Sequence, residues 1–410
     1  MSPPTSRTPD DLAPSRVQVD LGALGANVAA WRAWLRQNAG PQGPARLCAV
    51  VKADAYGLGA VPIARGLADR GVDMLAVFSL DQALRLLEAG IGKPILVFMP
   101  VRTLGDHALL WASAARGQLQ LTVHDPGQLS ALDRAAAGHR VVVPIHLQLD
   151  TGMTRAGLDE REFVQCLNTL GGLGHTALAG ISTHLATADS DLGFLDEQVR
   201  RFDLALAESR APTTPGGLIH VANTAAALRG GRYHYGMVRI GLGLFGYGPD
   251  MLAQGPKADS LPALRPIVRW TSRLVHVERR SAGCAIGYGC TFRLERQSVL
   301  GLVPVGYGDG YPLLLSNCGE VRVLGASGTD AAAPVLGNVN MDQIVVDLTD
   351  AIEAWGLGDP RALLDREVEL ISSDPESRCA LPRLAKLAQS SCYELLCRLG
   401  PRVPRRYVDG

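Results

Sequence analysis

A lysine stands at position 52 in the stretch AVVKADAYGLG, directly after an apolar run and ahead of alanines, Tyr56 and two glycines. An amine there is a nucleophile or a base, and the small residues beside it leave room for a ligand. Farther along come Arg155 in DTGMTRAG, His184 in STHLATAD, Asn223 and Thr224 in ANTAAAL, and Arg239 in RIGLGLFGYG, with Gly241 and Leu242 just beyond it. Each alone has an ordinary structural reading. A lysine after a strand is usually a solvated loop residue, a histidine at an apolar strand end is usually structural, and Asn-Thr is a common helix N-cap.

The elements that must position them follow from periodicity. Eight short apolar runs, at 46–51, 74–78, 95–98, 119–123, 141–149, 178–184, 218–222 and 237–240, read as strands. Helical patterns such as VPIARGLADRG, SLDQALRLLEAG and FLDEQVRRFDLALAESR lie between them, several closed by glycine. Eight β–α alternations point to a parallel (β/α)8 barrel. A doubly wound open sheet is the competing architecture, and strand counting does not separate the two. Beyond about residue 262 the texture changes to β-type runs broken by Gly, Pro and Asn, the mark of a separate β-rich domain. The run RVQVD at 16–20 precedes the first barrel helix and adds a strand to that domain. The expected organisation is a tail and strand over 1–20, a barrel over 21–262 and a β-rich domain over 263–410.

Active sites of such barrels sit at the C-terminal strand ends, and phosphate is typically held by the loops after strands 7 and 8. Here one of those loops is a capping sequence and the other is glycine-rich. Both suit an anion, through free N–H groups and the helix dipole. Lys52 lies across from them. A lysine beside a phosphate-anchored cofactor suggests pyridoxal 5′-phosphate, whose aldehyde forms a Schiff base with such an amine.

Composition bounds the alternatives. Hydrophobic residues make up 47% and charged residues 20% of 410, as in a globular protein with a large core. Forty basic residues balance forty acidic ones, so nothing favours nucleic acid or an anionic membrane as partner. No apolar run reaches the ~18 residues of a membrane span. The opening MSPPTSRTPDDLAPSR reads as a loose tail, without the apolar region of a secretory signal. The eight cysteines show no CxxC pair, so no metal site is expected, and reduced thiols in the cytoplasm are.

At this point the chain resembles the alanine racemases, of the type III pyridoxal-phosphate fold, over nearly its whole length. The motifs that carry the resemblance run in order: AVVKADAYGLG, DTGMTRAG, STHLATAD, ANTAAAL, RIGLGLFGYGP, IGYGCTF, PVGYGDGYP, NVNMDQIVVDL and YELLCRLGPRVPRRY. The resemblance implies a homodimer with shared active sites, L- and D-alanine as substrate, and a part in D-alanine biosynthesis for cell-wall precursors. It makes Lys52 the cofactor-bearing lysine and one catalytic base, and Tyr288 of the partner subunit the second. Tyr56, Thr224, Gly241 and Leu242 would hold the phosphate, with Asn223 adjoining. Arg239 would face the pyridine nitrogen, and His184 would hydrogen-bond Arg239. Arg155 would orient Tyr288 and touch the substrate carboxylate, to which Met341 adds a backbone donor.

The implied chemistry is coherent. Racemisation removes a proton from one face of the α-carbon and returns one to the other, so two bases on opposite faces are natural. An arginine opposite the pyridine nitrogen keeps its own proton, which leaves the ring nitrogen unprotonated and weakens the ring as an electron sink. That suits racemisation over transamination.

The chain also departs from the family pattern. Gln148 stands where members often carry a carbamylated lysine. Thr224 replaces a frequent serine, Pro401 a tyrosine before RVPR, and Asn340 sits in the entry motif. Two other readings follow: a broader-specificity amino-acid racemase of the same fold, and a non-catalytic cofactor-binding protein. The β-rich domain carrying Tyr288 weighs against the second. A decarboxylase of the same fold type lacks its cysteine-centred C-terminal site here.

Overall fold

The computed structural model describes residues 12–40, 43–209, 218–248, 252, 261–325 and 329–409. Residues 1–11 of the expected tail lie outside the described residues. The chain divides into two compact units, Leu24–Arg265 and the pairing of Met1–Ala23 with Pro266–Gly410.

Strand β1 (Arg16–Asp20) opens the chain and belongs to the second unit. The first unit then lays down β2 (Arg46–Val50), β3 (Met74–Val77), β4 (Ile95–Val97), β5 (Leu119–Val123), β6 (Val143–Gln148), β7 (Thr176–Ser182), β8 (Leu218–His220) and β9 (Met237–Ile240). These eight match the eight runs expected from the sequence. They pair in parallel in the order β8-β7-β6-β5-β4-β3-β2-β9. At the last seam the Gly236 N–H donates to the Ile219 carbonyl at 3.0 Å and the Arg239 N–H to the Ala222 carbonyl at 2.9 Å. The sheet therefore closes on itself, which decides for the barrel over the open sheet. Helices return between strands, with the expected glycine ends and with aspartate N-caps that the sequence reading did not name. Asp125, Asp159 and Asp191 each accept a hydrogen bond from a first-turn backbone N–H, and Gly71 and Gly90 take the positive φ that ends two others.

The barrel interior is not wholly apolar. Gln120 on β5, His146 on β6, His220 on β8 and Arg239 on β9 join in one hydrogen-bonded string. Arg239 Nη1 lies 2.8 Å from His220 Nδ1, His220 Nε2 lies 2.8 Å from His146 Nδ1, and His146 Nε2 lies 2.7 Å from Gln120 Oε1. Burial holds both histidines neutral, and the nearby Arg239 charge pushes the same way; His146 is pushed down to about 3 and His220 well below its ordinary value.

The second unit continues with β10 (Val268–Arg273), β11 (His276–Arg280), β12 (Ala285–Ile286), β13 (Phe292–Arg293), β14 (Ser298–Val303), β15 (Glu320–Val323), β16 (Ala331–Leu336), β17 (Ile344–Asp347), β18 (Glu367–Ile371) and β19 (Arg405–Val408). Nine strands form a single sheet, in the order β11-β14-β17-β16-β15-β18-β10-β1-β19. The first strand takes its expected place, antiparallel to β10 through Val17↔Trp270 and parallel to β19 through Val17↔Arg405. Strands β12 and β13 stand apart as a two-stranded hairpin. Among the described residues no helix is long and apolar enough to cross a membrane, no group of residues is set to hold a metal ion, and the cysteines are free thiols.

The neutral histidines give the barrel a defined response to acid. Below about 6.5, the ordinary histidine value, the unfolded chain binds protons that folded His146 and His220 refuse. Stability is therefore complete above that pH and falls as pH drops below it, by about 1.4 kcal/mol per pH unit for each such histidine. Chemical denaturation between pH 7 and about 5, above most carboxylate titration, should show this slope; a flat profile there would contradict it.

Candidate active site

The site in the barrel begins where β2 ends. Val51 closes the apolar run, Lys52 follows, and Ala53, Asp54, Ala55 and Tyr56 then take left-handed helical angles, with φ of 53, 56, 52 and 56°. One such turn of non-glycine residues costs roughly 1–2 kcal/mol per residue. Local bonds and burial offset that strain. The Ala55 N–H donates to the Val51 carbonyl, the Gly59 N–H to the Asp54 carbonyl at 2.9 Å, and the Ala60 N–H to Asp54 Oδ1 at 2.7 Å. Ala55 and Tyr56 are buried. The reversed twist returns Tyr56 toward the strand ends. There it meets Phe245 edge-on at 5.6 Å between ring centroids and lies so close to Gly241 that a Cβ on that glycine would fall 2.2 Å from Tyr56 Oη.

Thr224 opens the short helix Thr224–Leu228, and Asn223 is its N-cap, accepting from the Ala226 N–H at 3.0 Å while its amide donates to the Leu185 carbonyl at 3.2 Å. Both ends of Asn223 are thus engaged in building the seat. The Gly241 N–H reaches Thr224 Oγ1 at 3.4 Å. Gly243 lets the turn close, since a Cβ there would stand 2.7 Å from Thr224 Cγ2 and 2.8 Å from Trp31. Tyr56, Thr224, Gly241 and Leu242 therefore converge on a cradle of hydroxyls and backbone N–H groups.

Arg239 is nearly fully buried. Its Nη1 donates to His220 Nδ1 and to the His220 carbonyl, both at 2.8 Å. Its Nη2 donates to the Thr183 carbonyl at 2.9 Å and the Val221 carbonyl at 3.1 Å. The expected contact with His184 is the longest, Nη2 to Nδ1 at 3.4 Å. Four of the five guanidinium hydrogens are thus engaged, and Nε–H makes no hydrogen bond to the described residues. Loss of solvation lowers Arg239 to about 10. His184 is pushed down to about 3, first by burial and then by the positive charges of Arg239, Arg155 and Lys52.

Arg155 rides an exposed loop after β6. Asp150 Oδ1 accepts from the Gly152 and Thr154 N–H groups, and Leu158 closes the loop onto Gln148 and Asp150 through the backbone. Gln148 donates its amide to the Ala156 carbonyl at 3.0 Å. The neutral side chain thus fixes the Arg155 loop by a hydrogen bond.

The remaining site residues lie in the second unit. Tyr288 sits at the tip of the β12–β13 hairpin, 75% exposed, on a turn in which Gly287, Gly289 and Cys290 have positive φ. Asn338 Nδ2 donates to the Tyr288 carbonyl at 2.9 Å, a support that sequence reasoning missed. Met341 is also exposed. Its carbonyl accepts from the Gly308 N–H at 2.9 Å and from Arg402 at 3.2 Å. Arg402 in turn binds the buried Asp309 through two hydrogen bonds, of 2.6 and 3.1 Å, and Asp342 at 2.8 Å. The motifs PVGYGDGYP, NVNMDQ and RVPR are thus one fastened structure. Arg402 and His220 went unassigned in the sequence because each looks there like a generic polar residue.

The residues of the barrel suit a phosphorylated pyridine aldehyde: an amine at the strand end, a hydroxyl-and-N–H cradle and one outstanding Arg239 donor. Comparison with known proteins agrees. The family described as "Alanine racemase, N-terminal domain" matches residues 19–249, and "Alanine racemase, C-terminal domain" matches residues 267–407. An alanine racemase of Symbiobacterium thermophilum is 35% identical over 399 residues, 97% of this chain and 98% of that one. One from Nostoc sp. is 33% identical over 95% of this chain and 94% of its own length. Among solved structures, the alanine racemase of D-cycloserine-producing Streptomyces lavendulae superimposes with a TM-score of 0.83 at 29% identity, covering 98% of each chain. That of Bartonella henselae, solved with covalently bound pyridoxal phosphate, gives 0.76 at 26% identity, covering 97% of this chain and 100% of that one. The chain belongs to the alanine racemase family.

Proposed function

We propose that this protein interconverts L- and D-alanine with pyridoxal 5′-phosphate as cofactor, using Lys52 and Tyr288 of the partner subunit as the two bases. One observation carries the reading above the others: at the barrel strand ends the nearly fully buried Arg239 is held by the carbonyls of Thr183, His220 and Val221 and by His220 Nδ1, yet keeps its Nε–H unspent. When bound, the cofactor supplies an aldehyde for an amine and a ring that spreads charge away from the α-carbon.

The chain's own residues do the rest. Tyr56, Thr224 and the backbone N–H groups at Gly241 and Leu242 hold the phosphate, with Asn223 capping the seat. Arg239 offers Nε–H to the ring nitrogen and, as a group that does not readily yield its proton, leaves that nitrogen unprotonated. His184 stays neutral beside it. Arg155 and the Met341 N–H of the partner subunit hold the substrate carboxylate, which fixes the α-carbon between the bases. Lys52 Nζ takes or gives the α-proton on one face and Tyr288 Oη on the other. The exposure of Tyr288 within its own chain supports service in a second copy, and hence a homodimer with shared sites. Nothing in the charge balance or the described fold calls for nucleic acid or membrane as a partner.

Tyr288→Phe should lower racemisation in both directions by ~10²–10⁴-fold, the usual contribution of a positioned base, while Cα deuterium uptake survives for one enantiomer only. Lys52→Ala should lose the borohydride-reducible link to the cofactor. Mixing the two inactive proteins under conditions of subunit exchange should restore activity, because each heterodimer holds one site with both bases. A mixture that exchanges yet stays inactive would rule out the shared site.

Arg239→Glu offers the ring nitrogen a proton-stabilising partner. Racemisation should fall and transamination side product rise; an unchanged ratio of the two would remove Arg239 from the ring.

Arg402→Ala releases the Met341 carbonyl and frees the loop that presents the Met341 N–H. KM for alanine should rise about tenfold, equivalent to ~1.4 kcal/mol, with a smaller change in kcat. Steady-state kinetics settles this, and an unchanged KM in a folded variant would count against the clamp.

A further inference from the structure

The buried string beneath Arg239 has a direction. Arginine has no acceptor, so Nη1–H must donate to His220 Nδ1, which is therefore the unprotonated nitrogen of that ring. His220 Nε2 then carries the proton and donates to His146 Nδ1. His146 Nε2 carries the next and donates to Gln120 Oε1. Gln120 is held in the matching orientation because its Nε2 donates to the Gly117 carbonyl at 3.1 Å. Every junction has one polarity, and turning over any member would set two hydrogens or two lone pairs face to face.

The fold makes room for this string at a visible cost in regularity. Gly180 on β7 lies against His146, where a Cβ would stand 2.3 Å from Nδ1 and 2.7 Å from the Leu218 carbonyl. The β6–β7 register shifts between Ile145 and His146, at the residue that joins the string. Barrel cores are ordinarily filled by layers of branched apolar side chains. Two fully buried imidazoles, a bare glycine and a register shift together mark a place where filling space was not the only requirement.

We propose that Gln120, His146 and His220 are positioning residues for Arg239: by locking His220 in its Nε2–H tautomer they fix the guanidinium plane, so that Nε–H stays aimed at the ring nitrogen of the cofactor. The inference rests on the reading that Arg239 faces that nitrogen. Breaking the string at its far end lets His146 and His220 exchange tautomers. A His220 protonated on Nδ1 no longer accepts from Nη1 and turns a hydrogen toward it, so Arg239 keeps only its carbonyl bonds and the His184 contact, and its plane shifts.

The test uses ¹⁵N-histidine NMR on the full-length protein, with and without cofactor, alongside the ratio of transamination to racemisation. In the native protein His146 and His220 should both be neutral with the proton on Nε2, even without cofactor. Gln120→Leu removes the terminal acceptor. It should yield mixed tautomers at both histidines and a ratio raised about tenfold, the scale of one pKa unit at the ring nitrogen. Gln120→Glu keeps an acceptor oxygen and should retain the native tautomers. Finding His220 protonated on Nδ1 in the native protein would overturn the proposal without any variant. Unchanged tautomers and ratio in folded Gln120→Leu, while Arg239→Glu raises the ratio, would overturn the string and leave the Arg239 reading standing. If Arg239→Glu also leaves the ratio unmoved, that reading falls and the string's purpose with it.

Discussion

A guanidinium buried at the barrel mouth sets the terms for everything around it. An isolated charge out of water is costly unless its hydrogens are met, and among the described residues no carboxylate pairs with Arg239. Cys48, its register neighbour on β2, stays protonated, its thiol pushed up to about 12 chiefly by burial. The charge is met instead by the carbonyls of Thr183, His220 and Val221 and by the neutral imidazole of His220. Solvation by dipoles leaves the cation in place without neutralising it. A carboxylate would have fixed the side chain equally well, but it would have quenched the field that the ring nitrogen is proposed to sense.

The second unit solves a different problem, that of presenting groups outward on a rigid base. Tyr288 and Met341 are exposed, yet neither sits on a loose loop. Ile286 anchors the hairpin in a small cluster with Leu294, Leu300 and Leu336, and Asn338 ties down the backbone at Tyr288. Gly306 allows the loop bearing Met341 to lie flat against it, since a Cβ there would come within 2.1 Å of the Asn340 carbonyl. Glycines, an aspartate and an arginine spread over three separate motifs act here as one joint.

How far the sequence foretold this depends on the range of the interaction. The barrel strands were legible because burial on both faces writes continuous apolar runs, and the strand ends then named Lys52, Arg155, His184 and Arg239. The left-handed turn after Lys52 was not legible. Alanine and tyrosine carry no propensity for it, and its local hydrogen bonds together with its packing against Gly241 and the strand end stabilise it. The string behind Arg239 was hidden for another reason. Gln120, His146 and His220 lie on three strands separated by up to a hundred residues, and each alone reads as an odd polar residue in an apolar run. The short helices Leu381–Leu387 and Cys392–Cys397 were likewise absent from the sequence reading, being too brief to establish a helical period.

Gln148 shows how one function tolerates different local physics. A carbamate at this position would hold Arg155 by charge. Gln148 has none to offer, and it holds the loop through its amide and the Ala156 carbonyl. The loop is otherwise fixed by Asp150, which gathers two backbone N–H groups, and by Gly157, whose φ of 143° and contact with Asp150 exclude a side chain. Position is thus set by backbone geometry rather than by an ion pair. Hydrogen bonds to backbone carbonyls are screened by salt far less than ion pairs between exposed groups, so the poise of Arg155 here depends on loop structure and little on ionic strength. What is given up is the anion itself: with no carbamate to balance it, the Arg155 charge is left to the substrate carboxylate that Arg155 is proposed to hold.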